Sequence, residues 1–259
     1  MKQIVLITAV IAAFVGGALS GCSSAVQLTS AWNDHAIIID GSAADWGTSL
    51  MPVTGLPLAL GVRNDGEFLY VCLSTQDPFV QAQILNGGLT VWFDPRGENE
   101  ETFGIRFPLR GESPPHWNPR EPLTATFQFL EPSFRELAIL GPDDQQNLFS
   151  VLELKGIGVR LGAFDNTLVY ELRVPLRHSA EMRYAVGIIE NQMVGIGFQT
   201  AEFGSDRLEG PSGRAGATTR GGGRRRGGGG TAGGGPIGGA DRPEPLDLWT
   251  KVVLSSSRQ

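Results

Sequence analysis

The chain has 259 residues and a formal net charge of −6 at neutral pH, enough for one large all-β domain or two small ones. An acidic body lacks the basic footprint that general nucleic-acid binding needs, so no nucleic-acid partner is expected. The cysteines are Cys22 and Cys72, too few for a disulfide framework.

The chain opens with Lys2 and a nearly unbroken apolar run over 4–19, closed by Leu19-Ser20-Gly21-Cys22. A basic start, a short apolar stretch and small residues make a secretory signal. The run is shorter than the ~20 residues a membrane-spanning helix needs. A cysteine directly after Leu-Ser-Gly resembles the signal of bacterial lipoproteins. That resemblance implies cleavage ahead of Cys22, acylation of its thiol and membrane lipid as a partner. Ser23 follows, with no aspartate there, which resembles outer-membrane sorting. The expected location is therefore the cell envelope of an exported, lipid-anchored protein, at the outer membrane if there are two membranes.

Residues 22–35 read as a lipidated tether. From there the pattern is strand after strand. The expected strands are 36–40, 58–63, 67–74, 89–93, 102–109, 124–130, 148–154, 158–161, 168–174, 184–189, 194–198 and 246–254. Asn64-Asp65-Gly66 between two of them is a hairpin turn whose glycine supplies positive φ. Over 124–130, Thr and Gln alternate with Ala and Phe, as a half-buried strand does. Residues 134–140 lean to strand, and 178–183 could form one helical turn. No window shows a long helical period. Cys72 lies in the apolar run 69–73 and reads as a small buried hydrophobe.

Residues 209–240 are mostly glycine, with Arg214, Arg220, Arg224, Arg225 and Arg226. Such a segment cannot bury enough apolar surface to offset its ordering entropy, so disorder is expected. It precedes the last strand and is therefore a loop. The expected organisation is a signal over 1–21, the tether over 22–35, one domain over 36–254 with that insertion, and a tail over 255–259. Many short strands with turn signals predict an all-β fold, a two-sheet antiparallel sandwich.

Four segments in order carry a resemblance: Ile39-Asp40-Gly41 with Asp45-Trp46; Arg63-Asn64-Asp65-Gly66 followed by Leu69-Tyr70-Val71; Val91-Trp92-Phe93-Asp94-Pro95; and Tyr170-Glu171 leading to Pro175-Leu176. Together they resemble the family 9 carbohydrate-binding module and the related DOMON-like domains, over roughly 36–254. The resemblance implies a jelly-roll-like sandwich, a possible glycan ligand and no catalysis. Read from the residues alone, Trp46 is a core-edge anchor. Glu171, between apolar neighbours, either faces water or pairs with an arginine inside.

Sugar recognition needs a flat aromatic platform and convergent polar groups. The loop over 111–120 offers Trp117 beside His116, Asn118 and Arg120, and its prolines keep it out of a central strand. The alternative is that Trp117 plugs one end of the sandwich. Trp92 reads as core packing. The family also implies structural calcium, which takes six to eight oxygens. Asp40, Asp45, Asp94 and Asp77 are turn aspartates that could supply some, or could bond nearby backbone instead. DOMON-like relatives include haem binders, but His35, His116, His178, Met51, Met182 and Met193 show no telling spacing, so no haem or other cofactor is expected. There is no Gly-x-Ser-x-Gly elbow, His-Glu-x-x-His, phosphate-binding glycine loop or cysteine cluster. Asp143-Asp144 reads as a solvated turn. A catalytic carboxylate pair stays open, because spatial separation is not readable from sequence. The expected function is a non-catalytic, membrane-anchored module for carbohydrate or another small polar ligand. The alternative is an envelope lipoprotein that serves a structural role or binds a protein partner and has no sugar site.

Overall fold

The computed structural model describes residues 26–35, 37–109, 121–142, 145–189, 192–201 and 244–256. Two sheets stack face to face, as the alternating pattern predicts. The seven-stranded sheet has the order β1 (Val26–Thr29), β13 (Asp247–Val253), β12 (Met193–Thr200), β6 (Leu89–Asp94), β7 (Phe103–Phe107), β8 (Glu136–Leu140) and β9 (Gln146–Ser150). The six-stranded sheet runs β10 (Gly158–Phe164), β11 (Thr167–Pro175), β5 (Phe68–Thr75), β4 (Leu58–Asn64) and β2 (Ala31–Trp32), with β3 (Leu50–Pro52) also on β4. Pairing is antiparallel except for two short N-terminal strands, β1 on β13 and β2 on β4. Between the sheets lie Val71, Leu73, Val91, Phe93, Ile105, Phe107, Tyr170, Ile196 and Phe198. Each such buried side chain contributes about 1.5–3 kcal/mol.

Several expectations change. The tether over 22–35 is not free of structure: 26–29 and 31–32 are strands, so the folded part includes residues ahead of 36. The chain switches sheets at Ser30. There Ser30 Oγ donates to Asn64 Oδ1, and Ser255 N donates to both, at 2.8 and 3.0 Å. Ser255 therefore closes the fold and is no tail residue. Residues 124–130 are not a strand. They lie in α2 (Leu123–Leu130), whose buried residues Leu123, Phe127 and Leu130 recur at helical spacing. Phe127 packs on Phe134, and Phe134 on Phe107. That contact selects the 3.6-residue period over the two-residue one, and both fit so short a window.

A second helix, α1 (Pro78–Gly87), stands between β5 and β6. Asp77 caps it by accepting from Phe79 N and Val80 N, both at 2.9 Å, and Gly88 ends it at φ 78°. Residues 80–86 are all buried, so no polar face betrays the helix. Residues 184–189 and 37–40 pair in no ladder. The former lie against the end of β11, with Val186 N and Ile188 N donating to Pro175 O and Leu176 O, and bend at Gly187, φ 86°. The insertion over 209–240 and the signal over 1–21 lie outside the described residues.

Candidate binding face

The two outer faces of the sandwich differ. That of the six-stranded sheet is covered by residues 37–49, which cross it as a strap. Glu171 fastens the strap. Its Oε1 accepts from the Trp46 indole N–H at 2.7 Å, and its Oε2 accepts from Gly41 N at 2.6 Å and Asp40 N at 3.0 Å. Glu171 is fully buried. It thus neither faces water nor pairs with an arginine, because the indole and two backbone amides supply the donors. The Asp-Gly, Asp-Trp and Tyr-Glu segments singled out in the sequence meet in this one clasp.

Glycines allow the close approach. A Cβ on Gly61 would lie 2.8 Å from the Trp46 ring, and one on Gly162 would collide with the Gly41 carbonyl oxygen. Gly41 itself has φ 86°, the left-handed region that favours glycine. Cys72 faces the same layer and is buried. Burial and the neighbouring Glu171 push its thiol well above the usual range, which leaves it unreactive at neutral pH.

Burial also raises the Glu171 carboxyl above its ordinary value of 4.5, against the opposing pull of Trp46, Gly41 and Asp40. The folded state then holds this proton more tightly than the unfolded chain. The associated stability is present below the unfolded value and is lost as pH rises through the folded one. The melting temperature of the wild type relative to Glu171→Gln, followed from pH 4 upward, should therefore decline. A difference that grows with pH would contradict this.

The outer face of the seven-stranded sheet carries the other two described features of interest, Trp92 and Trp249. The register places both opposite Gly197, on either side of it. Each ring lies flat on a glycine. A Cβ on Gly104 would be 2.6 Å from the Trp92 ring, and one on Gly197 would be 2.8 Å from Trp249. Strand-interior glycines of this kind mark a close approach. Trp92 is 8% exposed and Trp249 half-buried. They cluster with Ala138, Leu140 and Leu109. Trp92 is buried as expected, but outside the core between the sheets.

A polar row borders the rings. Trp92 Nε1 donates to Gln199 Oε1 at 2.7 Å, and Gln199 Nε2 donates to Glu101 Oε1 at 3.0 Å. Arg106 Nε donates to Thr90 Oγ1 at 3.1 Å. Asp247 lies opposite Gln199, and Lys251 is one outward row from Trp249. A flat apolar surface edged by an amide, carboxylates and cations can pack a sugar's C–H face and bond its hydroxyls.

The loop residues His116, Trp117, Asn118 and Arg120 lie outside the described residues, as does Cys22. Leu109, the last residue described before 110, packs in the Trp92 cluster. The proposed calcium aspartates are not brought together. Asp94 is fully buried on the seven-stranded sheet and holds the turn 94–100, accepting from Arg96, Glu98 and Glu100 N at 2.9, 2.6 and 3.2 Å. Asp40 and Asp45 lie on the strap, bonded to Ser42 N and Ile38 N. Among the described residues no group of three or more His, Cys, Asp or Glu could hold a metal ion. These aspartates satisfy local backbone instead.

No family model and no curated protein matches this chain. Among solved structures, the chain is similar to a carbohydrate binding module family 9 from Caldicellulosiruptor kristjanssonii in complex with glucose. The identity is 11% and the TM-score 0.37, over 68% of this chain and 78% of that one. The same module in complex with cellotriose gives 11% and 0.36, over 68% and 76%.

Proposed function

We propose that this chain is an exported, lipid-anchored, non-catalytic module that binds a glycan on the Trp92–Trp249 face of the seven-stranded sheet. The observation that carries the reading is the pair of indoles laid flat on Gly104 and Gly197, bordered by Gln199, Thr90 and Arg106. The opposite sheet face is closed by the strap, which leaves this face as the platform. Of the two rings, half-buried Trp249 offers the surface for the C–H face of a sugar, and Trp92, 8% exposed, backs it in the same cluster.

Anchoring follows from Cys22 and bears on orientation. Ser23, Ser24 and Ala25 alone separate Cys22 from β1, a reach of roughly 3.3–3.6 Å per residue. β1 runs parallel to β13, which begins beside Gln199 at the α1 end. An acyl group on Cys22 therefore holds the α1 end near the bilayer and points the other end away. Among the described residues no helix is long and apolar enough to cross a membrane. Mass spectrometry of the mature protein should find an acylated Cys22 as its first residue.

The binding claim is tested by titrating the full-length protein, in detergent micelles, with cellotriose and xylotriose while following tryptophan fluorescence. At least one saccharide should give a saturable signal, and Trp249→Ala should weaken it about tenfold or more, ~1.4 kcal/mol. No saturable signal from either sugar, or a signal indifferent to Trp249→Ala, counts against the platform.

A further inference from the structure

We propose that the end of the sandwich opposite α1 holds a second ligand site, a cleft that takes one acidic sugar ring, a hexuronate, by its carboxylate. A cavity of about 240 Å³ lies there, between the turn 64–66, the exits of β11 and β13, and the entry to β12. Half-buried Trp32 forms one wall, and Leu176, Ile188 and Leu254 contribute apolar surface. The volume is below the ~300–1,000 Å³ of drug-sized sites, so it suits a single ring.

The polar groups at its inner side are already engaged. Asp65 Oδ1 accepts from Glu67 N and Phe68 N at 2.8 and 2.7 Å, and its Oδ2 from the Tyr70 hydroxyl at 2.9 Å. The Asn64 amide donates to Asp65 O and Ser255 O at 3.2 and 3.0 Å and accepts from Ser255 N at 3.0 Å. At the mouth stand two exposed side chains, Arg177 and Gln192. Arg177 spends one Nη1 contact, at 3.4 Å, on Gly66 O. Among the described residues no carboxylate pairs with it, and a guanidinium binds a carboxylate with two parallel bonds. Trp32 supplies aromatic surface for a sugar's C–H side, and the Gln192 amide suits a hydroxyl.

None of the residues lining this cleft belongs to the Trp92–Trp249 face. The choice of a sugar rests on the glycan reading above; the cleft and its cation do not.

The test is calorimetric titration of the full-length protein in detergent micelles with D-glucuronate, and with D-glucose as the neutral control. Glucuronate should saturate and glucose should bind at least about tenfold more weakly, because only the former engages Arg177. Arg177→Gln should weaken glucuronate by a similar factor and Arg177→Lys by less. Trp249→Ala should leave glucuronate unchanged while it weakens whichever of cellotriose and xylotriose binds by about tenfold or more. Arg177 is exposed, so its variants should melt with the wild type. The proposal is overturned by no glucuronate binding, by equal binding of glucose, by indifference to Arg177→Gln, or by loss with Trp249→Ala. Intact glucuronate binding with neither cellotriose nor xylotriose binding would defeat the platform reading alone.

Discussion

Glu171→Ala is expected to destabilise the protein by about 3–5 kcal/mol. The substitution strands the Trp46 indole N–H and the backbone N–H groups of Asp40 and Gly41, which all point at the carboxylate. The buried indole donor left unpaired costs about 1–3 kcal/mol, and the two part-buried amides and the lost side-chain packing add the remainder. At ~2–4 °C per kcal/mol for a domain of this size, melting should fall by roughly 10 °C or more. The loss should be local first. Tryptophan emission should shift to the red as Trp46 meets water, and limited proteolysis should cut within 37–49. A variant that melts within about 2 °C of the wild type, with the strap uncut, would show that the clasp carries little stability.

Gly162→Ala is the second large effect, at about 2–3 kcal/mol. Its new Cβ would meet the Gly41 carbonyl oxygen, and a Cβ on Gly41 would meet the Leu161 carbonyl at 2.7 Å. Backbone faces backbone at this crossing, so no flexible side chain can swing aside. The strap must lift or the sheet must shift. Gly66→Ala is the control: contrary to the turn expected from sequence, Gly66 does not take positive φ, and a Cβ there meets nothing within 4 Å, so it should stay within about 0.5 kcal/mol of the wild type. Combined with Glu171→Ala, Gly162→Ala should cost less than the sum, because both release the same segment. Chemical denaturation of the single and double variants checks this. Additive costs would mean that strap and clasp are independent.

The class of fold was legible because most strands alternate or run apolar between clear turns, as at 58–75 around Asn64-Asp65-Gly66. Short elements were not. β1 and β2 span four and two residues, too few for a period to show. The window over α2 fits either period, and only Phe127 meeting Phe134 decides it. α1 carries plain caps in Asp77, Pro78 and Gly88, yet its all-round burial removes the polar face that marks a helix.

The clasp and the platform were legible in parts only. Asp40-Gly41, Trp46 and Glu171 were singled out as fold markers, but their partnership spans more than a hundred residues. No local pattern reports that an indole stands where an arginine was expected. Trp92 and Trp249 are equally far apart, and only the register across β12 makes them neighbours. The available signal was Val194-Gly195-Ile196-Gly197 together with Gly104, glycines inside apolar strands where a ring lies against the backbone.

The most direct measurement is a cellotriose titration of the isotope-labelled full-length protein in detergent micelles, read by nuclear magnetic resonance residue by residue. The account predicts shifts centred on the indole N–H signals of Trp92 and Trp249 and on the amides of Gly197 and Gln199, with Trp46 and the strap silent. Shifts centred on Trp46 and residues 37–49, or a spectrum unchanged at the two platform indoles, would contradict it.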